Sequence, residues 1–204
     1  MGDGPVIFTI GHSTHSAERF LAMLKGAGIT AVADVRSVPY ARHTPQFNRP
    51  ALKDALKAEG IAYSFLGESL GARPADRACY RDGVAAYDLI AATTAFRDGL
   101  DRVLQGASSY RIALMCAEKE PLDCHRAVLV ARHLAKLGAG IRHILADGTV
   151  ETQEHLEGRL LKMTGQDTAD LFDDPLDKAY RLRGERIAFA EEGEESGADR
   201  KAAV

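Results

Sequence analysis

The sequence predicts an α/β fold: a three-layer Rossmann-like or flavodoxin-like sandwich with a mostly parallel five-stranded sheet. Two observations predict it. Short apolar runs rich in β-branched residues alternate with helical patterns along residues 6–163, and each helix is long enough to cover a face of the sheet. Such alternation requires crossover connections, which make the strands parallel and place helices on both faces. The strand order does not follow from the sequence.

The predicted elements are bounded by recognisable start and stop signals. Ser16 is the N-cap of the first helix, Pro50 stands in the first turn of the second, and glycines follow several helix ends. The predicted strands are 6–10, 29–34, 61–65, 111–116 and 141–145. The predicted helices are 16–28, 50–59, 85–105 with a break at Thr93–Thr94, 123–137 and 151–163. The loops 35–48 and 67–83 are predicted to be irregular.

Three segments are predicted along the chain. Residues 1–164 form a single α/β domain, and 165–190 form a C-terminal helical extension whose helical pattern is weak. Residues 191–204 have the composition of a disordered tail.

Composition excludes several classes of protein. The chain has 204 residues, of which 46% are hydrophobic, and a formal net charge of −3, so a surface that coats nucleic acid or anionic membrane as a whole is not expected. No run approaches the roughly 18 apolar residues of a membrane helix, and the first residues lack a secretory signal. The three cysteines are too few for a disulfide framework. A cytoplasmic protein without a membrane partner is therefore expected, while no cofactor is implied and the oligomeric state is open.

Polar residues stand at the carboxyl end of nearly every predicted strand. His12 and Ser13 follow the first strand, Asp34 and Arg36 end the second, and Cys116 ends the fourth. Ligands of parallel α/β proteins bind beyond the carboxyl ends of the strands. The site is therefore expected at this edge, and His12 is its candidate general base.

The densest group of polar residues runs from Cys116 to Arg126. If Asp123 is the N-cap of the following helix, Cys124, His125 and Arg126 lie in its first turn. Helix N-termini stabilise anions and lower the pKa of a thiol. The alternative interpretation is structural: Cys124 would be a small buried residue and Arg126 a surface charge.

Three mechanisms compete for this group. The anion loop of phosphatases and rhodaneses would need arginine at position 122 or 130, where Leu122 and Val130 stand, so that motif is absent. A metal site could combine Cys116, Cys124 and either His12 or His125, but no CxxC or HExxH spacing supports it and no metal ligand is assigned. What remains is a thiol-assisted reaction, or recognition of an anion without chemistry.

Arg36 has two interpretations as well. Arginine pairs with phosphate or carboxylate through two parallel hydrogen bonds. A buried pair of Asp34 with Arg36, or of Asp34 with Arg126, would instead make the site rigid without taking part in chemistry.

Six stretches of the sequence resemble one family, the domain of unknown function 488. They are TIGHS (9–13), ADVRSVPYAR (33–42), QFN (46–48), GIAYSFLGESLG (60–71), ALMCAEKEPLDCHR (113–126) and RHILADG (142–148). The resemblance implies an α/β fold in which the motif residues group together. Those residues are His12, Ser13, Asp34, Arg36, Asn48, Cys116, Glu118, Cys124, His125 and Arg126. Tyr40 departs from the small hydroxyl residue of many relatives, which weakens any role for a hydroxyl there.

The first functional hypothesis is an enzyme acting on a phosphorylated, nucleotide-like or nucleic-acid substrate. Its catalytic residues are Cys116, Glu118, Cys124 and His12, and its anion- or substrate-binding residues are Ser13, Asp34, Arg36, Asn48, His125 and Arg126. The alternative is a non-catalytic module that binds a nucleotide or nucleic acid. The third hypothesis is metal-dependent hydrolysis.

Overall fold

A computed structural model describes residues 4–167 and 174–191 and confirms the predicted α/β class. The strands are β1 Val6–Gly11, β2 Ala31–Asp34, β3 Ala62–Phe65, β4 Tyr80–Arg81, β5 Val84–Ala85, β6 Ile112–Cys116, β7 Gly140–Ile144 and β8 Val150–Thr152. The α-helices are α1 Ala17–Gly26, α2 Arg49–Ala58, α3 Gly67–Leu70, α4 Tyr87–Ala92, α5 Thr94–Gly106, α6 Arg132–Lys136, α7 Gln153–Thr164 and α8 Pro175–Ile187. A π-helical segment, Arg126–Ala131, leads directly into α6.

The central sheet has the order β3-β2-β6-β1-β7-β8 and is parallel except for β8. Helices α1 and α2 cover one face, where Phe20 and Leu52 pack with Phe8. Helices α5 and α6 cover the other face, where Leu100 and Leu134 belong to the same buried cluster as Ile7. Ile7 and Phe8, which are adjacent in β1, thus point to opposite faces of the sheet, because side chains alternate along a strand.

The prediction of five strands was one strand short. Val150–Thr152, whose last two residues were assigned to a helix, pair antiparallel with Arg142–Ile144 as β8. The cause is the turn at Asp147 and Gly148: Gly148 has a φ of +94° and its N–H donates to the carbonyl of Leu145. This turn folds the chain back on β7.

The loop 67–83 was predicted to be irregular, and this was wrong in part. It contains α3 and, with residues 84–85, a small hairpin of β4 and β5. Asp82 and Gly83 both have positive φ, as a two-residue hairpin turn requires. The predicted break at Thr93–Thr94 is confirmed, because the Thr93 side chain accepts from the N–H of Phe96 and begins α5.

Helix α8 packs beside α7 rather than on the central sheet. Tyr180 of α8 lies with Leu156 and Leu160 of α7 in a third buried cluster. The acidic stretch 167–177 is described only at its ends, and the predicted disordered tail, 191–204, lies outside the described residues except for Glu191. Among the helices that are described, none is long and apolar enough to cross a membrane.

Strand order creates a crevice between β2 and β6. The chain leaves β2 toward β3 on one side and leaves β6 toward β7 on the other. Ligand sites of open α/β sheets lie where neighbouring connections diverge in this way.

Candidate functional site

The segments that follow β1 and β6 remain paired beyond the strands. The N–H of His12 donates to the carbonyl of Cys116, and that of Ser13 to the carbonyl of Ala117, both at 2.9 Å. Gly11 permits this approach, because a Cβ there would lie 1.9 Å from the backbone oxygen of Glu118. The TIGHS and CAE motifs are thus held together beside the crevice.

Two thiols and one carboxyl group converge at the end of β6. The Sγ atoms of Cys116 and Cys124 each lie 3.0 Å from the same oxygen, Oε2 of Glu118. The Nδ1 atom of His125 lies 3.8 Å from the first sulfur and 3.9 Å from the second. We call Cys116, Glu118, Cys124 and His125 the thiol cluster.

The N-cap of the helix that follows the thiol cluster is Cys124, one residue later than predicted. The assignment of Asp123 as N-cap was therefore wrong. Asp123 ends a short 3-10 helix, and Cys124 is extended, with its carbonyl accepting from the N–H groups of Ala127 and Val128. The Cys124 sulfur accepts from the backbone N–H of Arg126 at 3.4 Å. Cys124 therefore occupies the capping position itself, where a negative charge is stabilised.

The two thiols differ in acidity. Burial alone would raise the pKa of Cys124, but the hydrogen bond from Cys116 and the charges of Arg126 and His125 hold it well below its ordinary value. The same hydrogen bond, together with burial, raises the pKa of Cys116 well above its ordinary value. Burial and the charge of Cys124 also raise the pKa of Glu118. Cys124 is therefore the more acidic thiol of the pair, and Glu118 holds a proton more tightly than an ordinary carboxyl group.

His125 is oriented from the neighbouring strand. Its Nε2 lies 3.0 Å from the carbonyl oxygen of Val35, which can only accept. Nε2 therefore carries a proton, and Nδ1 is the ring nitrogen that faces the two sulfurs. Burial opposes protonation, yet the hydrogen bond and negative charge of Cys124 raise the pKa of His125 overall.

Asp34 and Arg36 form a buried ion pair behind the thiol cluster, one of the two arrangements that the sequence left open. Both side chains are at most 5% exposed, and Tyr63 donates to the same carboxylate at 2.8 Å. Arg36 also donates to the carbonyl of Phe47 at 2.9 Å. The network fixes the carboxyl end of β2.

His12 belongs to this network. Its Nδ1 lies 2.9 Å from the backbone oxygen of Ser13, and its Nε2 lies 3.3 Å from Nη1 of Arg36. Since Arg36 can only donate, Nε2 accepts and its lone pair is engaged. Burial lowers the pKa of His12 to about 4, and its ring stacks on Phe47 at 4.4 Å. His12 is neutral at pH 7, and its role as general base stays a prediction.

Arg126 is not the surface charge of the alternative interpretation. It is 0% exposed and donates to the backbone oxygens of Glu118 and Lys119 at 2.7 and 3.3 Å. Its buried Nε has no hydrogen-bond partner among the described residues. Arg126 holds the CAE segment in place and contributes a positive charge beside Cys124.

A cavity of about 350 Å³ opens onto the thiol cluster. Besides the four cluster residues it is lined by Arg36, Ser37, Val38, Tyr40, Ala72, Arg73, Tyr87, Ala117, Asp123, Ile187 and Phe189. Sequence reasoning missed Tyr87 and the C-terminal residues Ile187 and Phe189, which carry no motif. Phe189 is held by Arg73, whose guanidinium lies 4.2 Å from the ring centroid.

Not every predicted site residue reaches this cavity. Asn48 accepts from the N–H of Ala41 at 2.7 Å and so closes the loop before α2. Ser13 adopts a φ of +48° in the turn after β1. His12, Asp34 and Arg126 lie behind the cavity wall, and their influence on the thiol cluster is indirect.

The fold and this site together define an α/β protein with a buried dithiol–carboxylate–imidazole cluster at its switch point. Residues 16–133 match the family model described as domain of unknown function DUF488. The match covers more than half of the chain, so the chain belongs to the DUF488 family, as its motifs predict. No curated protein matches the chain, and no solved structure matches it.

Proposed function

We propose that this protein is an enzyme that uses Cys124 as a nucleophile on a small anionic substrate, either phosphorylated, nucleotide-like or part of a nucleic acid. The observation that carries the proposal is the position of Cys124. Its sulfur caps a helix through the N–H of Arg126, contacts Glu118 at 3.0 Å and faces an open cavity. A thiol at a helix N-terminus beside cationic groups is the usual environment of a reactive cysteine.

The chemistry is a displacement in two steps. The Cys124 sulfur forms a bond to the electrophilic carbon or phosphorus of the substrate, and the bond from that atom to the leaving group breaks. The leaving group takes a proton from Glu118, whose pKa is raised. Water, or a second acceptor, then gives its proton to Glu118 and displaces the sulfur, which restores the thiolate.

The lining of the cavity supports an anionic, partly aromatic substrate. Arg73 supplies positive charge, and Tyr40, which is 57% exposed, offers a ring for stacking at the rim. The volume of about 350 Å³ falls within the range of small-molecule sites, roughly 300–1,000 Å³.

A non-catalytic binding module is the second candidate that the sequence allows. It predicts that Arg36 and Arg126 hold the ligand and that the thiols are replaceable. In the structure both guanidinium groups bind protein atoms and are at most 4% exposed. The catalytic candidate is therefore the better supported. A cytoplasmic location stays part of the proposal, because all three cysteines are free thiols.

The test is the rate at which iodoacetamide labels each cysteine of the chelator-treated native protein, measured against pH by mass spectrometry. Cys124 is expected to react fast at pH values well below the ordinary thiol pKa of about 8.5, and Cys79 and Cys116 slowly. Phosphate esters and nucleoside monophosphates that bind the site should slow the labelling of Cys124. Labelling of Cys124 no faster than that of Cys79 would remove the proposed nucleophile.

A further inference from the structure

The geometry points to a binding site for a thiophilic divalent cation, Zn²⁺ or Fe²⁺, made by Cys116, Cys124 and His125, with the Glu118 carboxylate beside the two sulfurs. The two sulfurs and Nδ1 of His125 all lie within 4.8 Å of one another. Oε2 of Glu118 lies 3.0 Å from both sulfurs. Three possible metal ligands from two short stretches of chain thus lie close together, and the Glu118 carboxylate contacts both sulfurs.

The spacing of these atoms suits a tetrahedral ion. Bonds of about 2.3 Å to sulfur and about 2.0 Å to nitrogen or oxygen place neighbouring ligand atoms about 3.5 Å apart. The nitrogen–sulfur distances are 3.8 and 3.9 Å, and the oxygen–sulfur distances are 3.0 Å. The imidazole nitrogen thus lies near the ligand spacing of a tetrahedral site, and the Glu118 oxygen lies closer to the sulfurs than that spacing.

His125 is oriented as metal-binding histidines are. Its Nε2–H donates to the carbonyl oxygen of Val35 at 3.0 Å, so Nδ1 faces the thiol cluster and, when it carries no proton, can bind a metal ion there. A hydrogen bond from the second ring nitrogen to a backbone carbonyl is the usual way in which proteins fix such a ligand. The Val35 carbonyl thus orients the His125 ring for metal binding, as a carboxylate often does for metal-binding histidines.

The charges of the buried residues are also matched by a divalent ion. Two thiolates and one carboxylate would carry three negative charges in a site where Cys116 and Cys124 are at most 3% exposed. Arg126, which contacts two carbonyl oxygens and no carboxylate among the described residues, supplies one positive charge. A divalent ion supplies the other two, and two sulfurs with one imidazole favour Zn²⁺ or Fe²⁺ over Mg²⁺ or Ca²⁺.

Metal binding and thiol chemistry exclude each other at this site. A sulfur lone pair bound to a metal ion is less available to attack an electrophile, so bound Zn²⁺ keeps Cys124 from reacting. This regulatory consequence rests on the proposed function, whereas the metal site itself does not. The two proposals are therefore separable by experiment.

The first measurement is a Zn²⁺ titration of the full-length, chelator-stripped protein against a chromophoric chelator. One equivalent of Zn²⁺ is expected to bind. Replacing a direct ligand should weaken binding by about 100-fold or more, since loss of a residue that only orients a ligand costs about 10–100-fold. Cys124→Ser and His125→Gln test this, and His125→Gln retains a donor for Val35. Cys79→Ser is the matched control, because that thiol is buried outside the thiol cluster.

The second measurement is the visible spectrum of the Co²⁺-loaded protein, which should show the bands of tetrahedral, thiolate-bound Co²⁺. Weak binding in the wild-type protein, or equal affinity in His125→Gln and Cys79→Ser, would overturn the metal site.

Iodoacetamide labelling in the same samples separates the two proposals. Slow labelling of Cys124 in metal-free protein that binds Zn²⁺ would overturn the nucleophile and support the metal site. Fast labelling that one equivalent of Zn²⁺ suppresses would support both.

Discussion

Arg36 holds the Asp34 carboxylate through three donors, one from its backbone and two from its guanidinium. The backbone N–H and Nε bind Oδ1 at 3.1 and 2.9 Å, and Nη2 binds Oδ2 at 2.6 Å. Because Arg36 also reaches His12 and Phe47, this pair ties the end of β2 to the segment after β1 and to the loop before α2.

Removing the carboxylate should leave a buried, uncompensated guanidinium. We expect Asp34→Asn to lower the free energy of unfolding by about 3–5 kcal/mol, the usual cost of breaking a buried ion pair. Chemical denaturation followed by circular dichroism measures the change. The exposed pair of Arg81 and Asp88 provides the control, since Asp88→Asn should cost under about 1 kcal/mol. Equal losses in the two variants would show that the pair at β2 is not structural.

Tyr63 donates the last hydrogen bond to this carboxylate. Tyr63→Phe should cost about 1.5–3 kcal/mol, because a charge-assisted bond is lost while the ring remains. Tyr110, which is 48% exposed, offers the control Tyr110→Phe, whose effect should fall within about 0.5 kcal/mol. Both changes are measured by urea denaturation, and a neutral Tyr63→Phe would contradict the assigned network.

Gly11 sets the distance between the two motif segments. Gly11→Ala would put a methyl group 1.9 Å from the backbone oxygen of Glu118. The variant should therefore unfold at a markedly lower denaturant concentration. The rates at which iodoacetamide labels Cys116 and Cys124 should also change. The control is Gly26→Ala at the end of α1, where a Cβ meets nothing within 4 Å. That change should be neutral or stabilise by up to about 1 kcal/mol. A Gly11→Ala protein of native stability would show that the segments can separate freely.

His143 should make folding stability depend on pH. Burial lowers its pKa from 6.5 to about 4; the charges of Arg126 and Arg159 act in the same direction, and that of Glu120 opposes them. The unfolded chain therefore binds more protons than the native one between these values, so stability falls as the pH drops from about 6.5 to about 4. At about 1.4 kcal/mol per pKa unit, the loss is about 3 kcal/mol.

His143→Gln should flatten this part of the pH profile, although it also loses the hydrogen bond from Thr9 and lowers stability throughout. His155→Gln is the control, since the His155 side chain is 72% exposed. The free energy of unfolding, measured every half pH unit between pH 4 and 7.5, decides the matter. An unchanged slope in His143→Gln would assign the dependence to other groups.

Capping residues and hydrophobic patterns in the sequence predicted most elements of the fold. Ser16 begins α1 as predicted, and Thr93 divides the helical stretch between α4 and α5. Two of the errors fall at turns: Asp147–Gly148 and Asp82–Gly83 each form a tight turn, and both were predicted as loop. In these cases a strand of two or three residues was too short to show an alternating pattern.

The residues of the thiol cluster could be named from the sequence, but their arrangement could not. The sequence changes from an apolar strand to polar residues within a few positions, and this local change identified Cys116, Glu118, Cys124 and His125 as candidates. That Nδ1 of His125 faces two sulfurs depends on the carbonyl of Val35, 90 positions away.

The sequence by itself determined the alternation of strands and helices and the polar residues at the strand ends, since these depend on neighbours along the chain. Only the tertiary structure decided that β1 lies beside β6, that Arg36 turns toward Asp34 and His12, and that Tyr87 and Phe189 line the cavity. The physical reason is that strand order and side-chain partners are fixed by packing between segments far apart in the chain, and no local pattern encodes those contacts.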